Sequence, residues 1–234
     1  MGSIKQNKDL EQVLRQLENT LREGLPFIIL DRDGTLNYDS GYVHKKEDLK
    51  LHKGVIEGLT LLNDYYRFVV ISNQSGVPEG NFTIKDMNKF NDELTKKLSK
   101  NGIKIEKIYS CVDSPYLPLN RRKPNPTYLF QAKEEFNIDL GKSWVIGDRI
   151  RTDIKMANDA CCKSVLVQTG HQRGKYFNKF EIYGVDIDKT GIKPDYVAEN
   201  LFEAAKFIIR NDEPRLNDYK KLLKLDKIYK TLRS

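Results

Sequence analysis

Long apolar runs are missing from this sequence. The longest, Pro26–Leu30 and Phe68–Ile71, are strand-sized, well short of the roughly 18 residues that a membrane-spanning helix needs. Met1–Leu10 has no hydrophobic stretch of the kind that drives secretion, so no secretory signal is expected. Cysteine is scarce and odd in number: Cys111, Cys161 and Cys162. Neighbouring Cys161 and Cys162 do not readily satisfy disulfide geometry with each other, and the expectation is a reduced, cytoplasmic protein. No repeat period is visible, and 15 Gly and 8 Pro are ordinary numbers.

What is present favours a folded α/β protein. Apolar residues make up 39% of the 234, with 12 Tyr and 10 Phe among them, which is enough for a core and excludes global disorder. The length suits one or two domains. There are 40 basic and 33 acidic residues, a net charge of +7. Such a surface attracts anions of several kinds, among them nucleic acid, acidic lipid and phosphorylated metabolites. Part of the excess is local, for Asn211–Ser234 holds seven basic and four acidic residues.

Hydropathy patterning divides the chain. Leu10, Val13, Leu14, Leu17 and Leu21 recur at helical spacing, so residues 9–23 are expected to form an amphipathic helix ended by Gly24 and Pro26. Phe27–Leu30 is a short continuous apolar run, as expected of a strand covered on both faces. A helix is expected after Gly54, then a strand at Phe68–Ile71 and a helix capped by Thr83. Further strands are expected at Ile105–Val112, Trp144–Ile146, Ser164–Gln168 and Asp195–Ala198. Helices between and after them are expected at Thr127–Phe136, Asp153–Ala160 and Asn200–Arg210. Alternating strands and helices predict a doubly wound, mostly parallel sheet in three α/β/α layers. The expected organisation is an N-terminal helical extension (1–25), a catalytic-type α/β domain (26–210) and a basic helical tail (211–234). In the tail, Leu222, Leu225, Tyr229 and Leu232 sit at helical spacing and suit packing on a neighbouring surface.

In such a sheet the chemistry belongs just beyond the carboxyl ends of the strands, and the chemically loaded residues fall there. After the first strand comes Asp31-Arg32-Asp33-Gly34-Thr35-Leu36-Asn37. An Asp-Gly hairpin turn is the bland alternative, but its flanks would alternate, and Phe27–Leu30 does not. Two carboxylates at a strand end instead suit Mg²⁺, a hard cation that takes oxygen ligands, and Gly34 allows a tight turn beside a ligand. Ser72-Asn73-Gln74-Ser75-Gly76 follows the second strand and offers a hydroxyl and backbone N–H groups to a phosphate. In Arg121-Arg122-Lys123-Pro124-Asn125-Pro126, Lys123 suits a fixed phosphate charge and Arg122 an oxygen clamp. Gly147-Asp148 follows the fourth strand, with Asp153 five residues on, and Asp148 reads as a metal ligand. Asp153 also suits a helix N-cap.

Together, in this order, these four segments resemble the haloacid dehalogenase (HAD) superfamily of Mg²⁺-dependent phosphohydrolases. Leu30–Asn37, Gly41-Tyr42-Val43-His44, Ser72–Gly76 and Arg122-Lys123-Pro124 are similar to its heptose bisphosphate and histidinol-phosphate phosphatases, over roughly Phe27 to Gly170. The resemblance implies hydrolysis of a phosphate monoester through a phospho-aspartyl enzyme. Asp31 would be the nucleophile and Asp33 the general acid and base. Asp31, the Asp33 carbonyl and Asp148 would hold Mg²⁺, while Ser72 and Lys123 would hold phosphate oxygens. Asn37, Asn73 and Arg122 would meet substrate, with Gly34, Thr35, Gly147 and Asp153 in support. That subfamily carries a zinc loop of Cys and His before Arg-Lys-Pro. Here the loop reads Cys111–Asn120 and keeps only Cys111, so no zinc is expected. The segments between the motifs leave no room for a separate cap domain, so the site is expected to be open.

Within enzymes, a heptose bisphosphate is the leading substrate and histidinol phosphate or another polyol phosphate the alternative. A nucleic-acid end phosphatase and a non-catalytic binding protein on the same fold are readings from other classes. The chain has no evident aromatic and basic platform for nucleic acid, and membrane binding is not favoured. A monomer or small homo-oligomer is expected.

Overall fold

The structure, a computed structural model, describes residues 23–170 and 191–213. The tail segment Leu216–Leu232 and all but the last residue of the expected 9–23 helix lie outside the described residues. Six strands form one parallel sheet: β1 (Phe27–Leu30), β2 (Arg67–Asn73), β3 (Ile105–Cys111), β4 (Trp144–Gly147), β5 (Lys163–Val167) and β6 (Tyr196–Ala198). The order is β3-β2-β1-β4-β5-β6. β1 therefore stands between β2 and β4, where the direction of winding reverses, and ligands sit at such reversals in open α/β sheets.

The unbroken apolar runs follow from burial on two sides. Side chains alternate faces along a strand. Ile28 and Leu30 join a core with α1 (Val55–Leu62), α2 (Ile84–Ser99) and α5 (Leu201–Asn211). Phe27 and Ile29 point the other way, against α3 (Thr127–Phe136) and α4 (Lys155–Asp159). The product is the expected three-layer α/β/α arrangement, with no additional domain among the described residues.

Helix starts follow local chemistry. Thr83 and Asp86 form a reciprocal capping box at α2. The Asn200 side chain accepts from the N–H groups of Phe202 and Glu203 at α5. The helix expected at Asp153–Ala160 differs: a wide π turn at Ile150–Ile154 precedes a shorter α4. Extra backbone width of this kind recurs at functional sites, and here it carries Asp153.

Candidate active site

The loop after β1 continues the sheet by one hydrogen bond, Asp31 N–H to the Ile146 carbonyl at 2.9 Å. This register sets Asp31 beside the end of β4, from which Asp148 projects. Asp31, Asp148 and Asp153 are all buried, and one carboxylate oxygen from each lies within 4.8 Å of the others. Burying three carboxylates together is costly unless cations join them. Lys123 supplies one, its ammonium 2.5 Å from Asp31 and 2.7 Å from Asp153. Those partners raise the Lys123 pKa although burial opposes this. Burial, opposed by Lys123 and reinforced by Asp153, lifts Asp31 to about 6.

The surrounding backbone makes room for this cluster. A β-carbon added to Gly34 or Gly170 would run into the Asp148 carboxylate, and one on Gly147 would overlap Asp153. Gly34 also has φ +89°, a conformation that side chains disfavour. The Thr169 hydroxyl donates to the Gly34 carbonyl at 2.7 Å and closes the turn. An all-oxygen donor set in a glycine-walled cradle fits a hard divalent cation such as Mg²⁺.

Asp33 stands apart from that cluster. Both oxygens of its carboxylate accept from Arg32, at 3.0 and 2.7 Å. Asn37 and Gln74 amides donate to it at 2.9 and 2.8 Å. Burial pushes its pKa up, but the Arg32 charge and these hydrogen bonds outweigh burial and hold it below the ordinary carboxylate value. In this arrangement the Arg32 clamp favours the ionised form of Asp33, whereas the acid role calls for the protonated one. Arg32 itself is buried, its guanidinium 4.7 Å from the Phe90 ring centroid and 2.7 Å from Asn91 Oδ1.

Other expected residues fall as follows. Ser72 is buried between Gln74, at 2.7 Å, and Asp33, at 3.4 Å. Thr35 is 3.5 Å from Asp31. Arg122 lines the cleft. Asn37, expected to meet substrate, is fully buried and directs its amide at Asp33, so it supports that carboxylate instead. Asn73 borders the cleft, but its amide brackets the Lys123 backbone, donating to the carbonyl at 3.1 Å and accepting from the N–H at 3.0 Å.

Sequence reasoning assigned no role to Arg32, Gln74, Asn91 or Arg149. The first two lie inside the quoted motifs, which was the available signal. Nothing local marks Asn91, which comes from the middle of α2. Arg149 pairs with Asp39 at 3.2 Å on the cleft wall. The cleft encloses about 650 Å³ and is floored by Asp31, Ser72 and Lys123, with Tyr42, Arg122 and Arg149 higher up.

A family model described as HAD-hydrolase-like matches residues 120–204. The D-glycero-D-manno-heptose-1,7-bisphosphate 7-phosphatase of Thermosynechococcus vestitus is 33% identical over 202 residues, 81% of this chain and 98% of that protein. The D-glycero-beta-D-manno-heptose-1,7-bisphosphate 7-phosphatase of Helicobacter pylori J99 is 37% identical over 144 residues, 61% of this chain and 82% of its own. The solved D,D-heptose 1,7-bisphosphate phosphatase of B. bronchiseptica, complexed with magnesium and phosphate, superimposes with a TM-score of 0.69 at 27% identity. It covers 80% of this chain and 99% of its own.

Proposed function

The chain belongs to the heptose bisphosphate phosphatase family of HAD-like phosphohydrolases, and from that premise we propose that this sugar-phosphate phosphatase removes a phosphate from a heptose bisphosphate, with Asp31 as nucleophile. The observation that carries the assignment is the buried carboxylate cluster with Lys123 wedged into it, at the ends of adjacent strands β1 and β4.

Asp31, Asp148 and Asp153 would hold Mg²⁺, with the Asp33 carbonyl as a further oxygen. Bound there, the ion would offset the repulsion between an anionic nucleophile and an anionic phosphate. Lys123 and Ser72 hold the oxygens of the transferring group, where charge must be accommodated. An Asp31 oxygen attacks phosphorus, the P–O bond to the sugar breaks, and the leaving oxygen takes a proton from Asp33. Water then attacks the phospho-aspartyl group, and Asp33 takes the proton that this water loses. Each turnover thus returns both carboxyl groups to their starting state. Asp33 must be protonated when substrate is in place. The incoming phosphate anion favours that form by raising the Asp33 pKa against the Arg32 clamp.

The test is phosphate release, with Mg²⁺ present, from a heptose bisphosphate, histidinol phosphate, hexose phosphates and 3′-phosphorylated oligonucleotides. The heptose ester should give the highest kcat/KM, and equal or better turnover of another class would refute the substrate assignment. Asp31→Asn should lower kcat by at least ~10⁴, the scale of losing an essential nucleophile. Retained turnover would remove Asp31 from that role.

A further inference from the structure

The segment that brings Arg122 and Lys123 to the cleft is held in two separate places. Lys123 is fixed by the Asn73 bracket on its backbone and by Asp31 and Asp153 at its ammonium. Arg122 shares neither hold. Its N–H donates to Asn120 Oδ1 at 3.1 Å, and its Nη1 approaches the Asp113 carbonyl at 3.4 Å. Both partners belong to the 113–121 loop, which lacks an apolar anchor: Tyr116 is 87% exposed and Leu119 96%.

An ion pair at the base closes that loop. Arg121 Nε and Nη2 reach the two Asp113 carboxylate oxygens at 2.9 and 2.5 Å, and the Arg121 N–H donates to the same carboxylate at 2.8 Å. The Arg121 guanidinium also lies over the Tyr128 ring of α3, 5.6 Å from its centroid. Asn125 ties down the Asn120 carbonyl at 2.9 Å. Asp113 thus grips Arg121 with its side chain and faces Arg122 with its carbonyl. The Arg121 donors hold the Asp113 carboxyl far below its ordinary pKa, so the pair stays charged at any working pH.

We propose that Asp113 and Arg121 form a clasp that positions Arg122 to contact the substrate beyond its transferred phosphate. Both are positioning residues and neither touches a reacting atom. The inference rests on reading the cleft as a sugar-phosphate site. Because Lys123 is fixed independently, opening the clasp disturbs recognition of the sugar side and spares the grip on phosphate.

The experiment compares Arg121→Gln, Arg122→Gln and the double variant, in the full chain with Mg²⁺, on a hexose or heptose phosphate and on a simple aryl phosphate. Arg121→Gln should reduce kcat/KM for the sugar phosphate about fivefold, mostly through KM, in line with one well-made exposed pair. With the aryl phosphate, kcat/KM should stay within about twofold of wild type. In the Arg122→Gln background the Arg121 change should add nothing further, whereas independent effects would multiply. Arg121→Lys, which keeps the charge but loses the fork, should recover only part of the loss. The proposal is overturned by unchanged sugar-phosphate kinetics in Arg121→Gln, by an equal fall on both substrates, or by multiplying effects in the double variant. Wild-type protein that cleaves the aryl ester but no sugar phosphate would instead refute the functional reading beneath it.

Discussion

Five donor atoms point at the carboxylate of Asp33: two from Arg32, one each from Asn37 and Gln74, and the Ser72 hydroxyl at the longer distance of 3.4 Å. Arg32 supplies the only charge among them and is 1% exposed at its side chain, while Asp33 is 19% exposed. Removing one member of a buried pair typically costs about 3–5 kcal/mol, because the partner is left uncompensated. Asp33 would keep two amide donors and some solvent, so Arg32→Met should cost about 3 kcal/mol, the lower end of that range. Methionine retains the apolar contact with Phe90, so the loss comes from the charge and its hydrogen bonds to Asp33 and Asn91. Urea unfolding measures this directly, and a loss below about 1 kcal/mol would place the pair with weak surface ion pairs. The sequence displayed Arg32 between two aspartates without revealing this arrangement. An arginine there reads equally as a solvated side chain or a ligand for phosphate. Besides Asp33, its guanidinium is held by Asn91, which lies 59 residues away in the middle of a helix.

Contacts between elements reverse some local preferences. In an ordinary helix interior, replacing Gly by Ala gains about 1 kcal/mol. Gly58 in α1 is different, since a β-carbon there would lie 2.7 Å from the Leu201 carbonyl oxygen and 2.9 Å from its carbon, at the start of α5. Backbone cannot swing aside as a side chain can, so α5 must shift, and overpacking of this kind costs about 1–3 kcal/mol. Gly58→Ala should therefore destabilise the protein by about 1 kcal/mol net. A raised melting temperature would show that the two helices separate freely. The start of β2 is tied to β3 by Arg67, which meets Glu106 at 3.1 Å and lies over the rings of Phe27 and Phe136. Lys104 meets the other Glu106 oxygen at 2.6 Å. Burial raises the Glu106 pKa, but these two cations more than offset it and leave the group below 4.5. A depressed carboxyl pKa contributes stability above the unfolded value, and that contribution fades as pH falls through the folded one. Glu106→Gln should thus cost about 1 kcal/mol near neutrality, with the gap closing as pH drops below 4.5 in paired denaturation curves. A gap independent of pH would assign the loss to packing. Strands such as Phe27–Leu30 were legible because two-sided burial leaves an unbroken apolar run. The π turn before α4 was not, because hydropathy period does not encode how many residues a single turn takes up.

At the scale of the whole molecule, the site exists only through sheet order. Asp31 and Lys123 are 92 residues apart, and Asp148 is more distant still in the chain. Asp31 and Asp148 meet because β1 and β4 are neighbours across the reversal of winding, and the segment that follows β3 brings Lys123 to Asp31. Each motif was legible as chemistry at a strand end. Asp153 was already expected in a supporting role, which its contact with Lys123 fits; what the sequence withheld was the rest of the pairing, with Asn73 turned to the Lys123 backbone and Asn37 turned to Asp33. Those choices depend on distances that no single segment contains. The pairing also predicts how the molecule responds to metal. Although the protein carries a net charge of +7, three buried carboxylates crowd together here with Lys123 between two of them. Without a divalent ion their mutual repulsion opposes folding, and an ion bound only by the native state stabilises it. At a hundredfold excess over its dissociation constant the gain is about 2.7 kcal/mol, or about 5–10 °C in melting temperature for a domain of this size. Chelation should therefore lower the melting temperature of the wild-type protein, abolish phosphate release, and be reversed by added Mg²⁺. Asp148→Asn removes one carboxylate from the crowd. In chelator it should melt at or above wild type, and in Mg²⁺ below it, so the ranking of the two proteins inverts with the ion. If Mg²⁺ shifted both proteins equally, the ion would be binding elsewhere, and the carboxylate cluster would have to balance its charge by holding a proton.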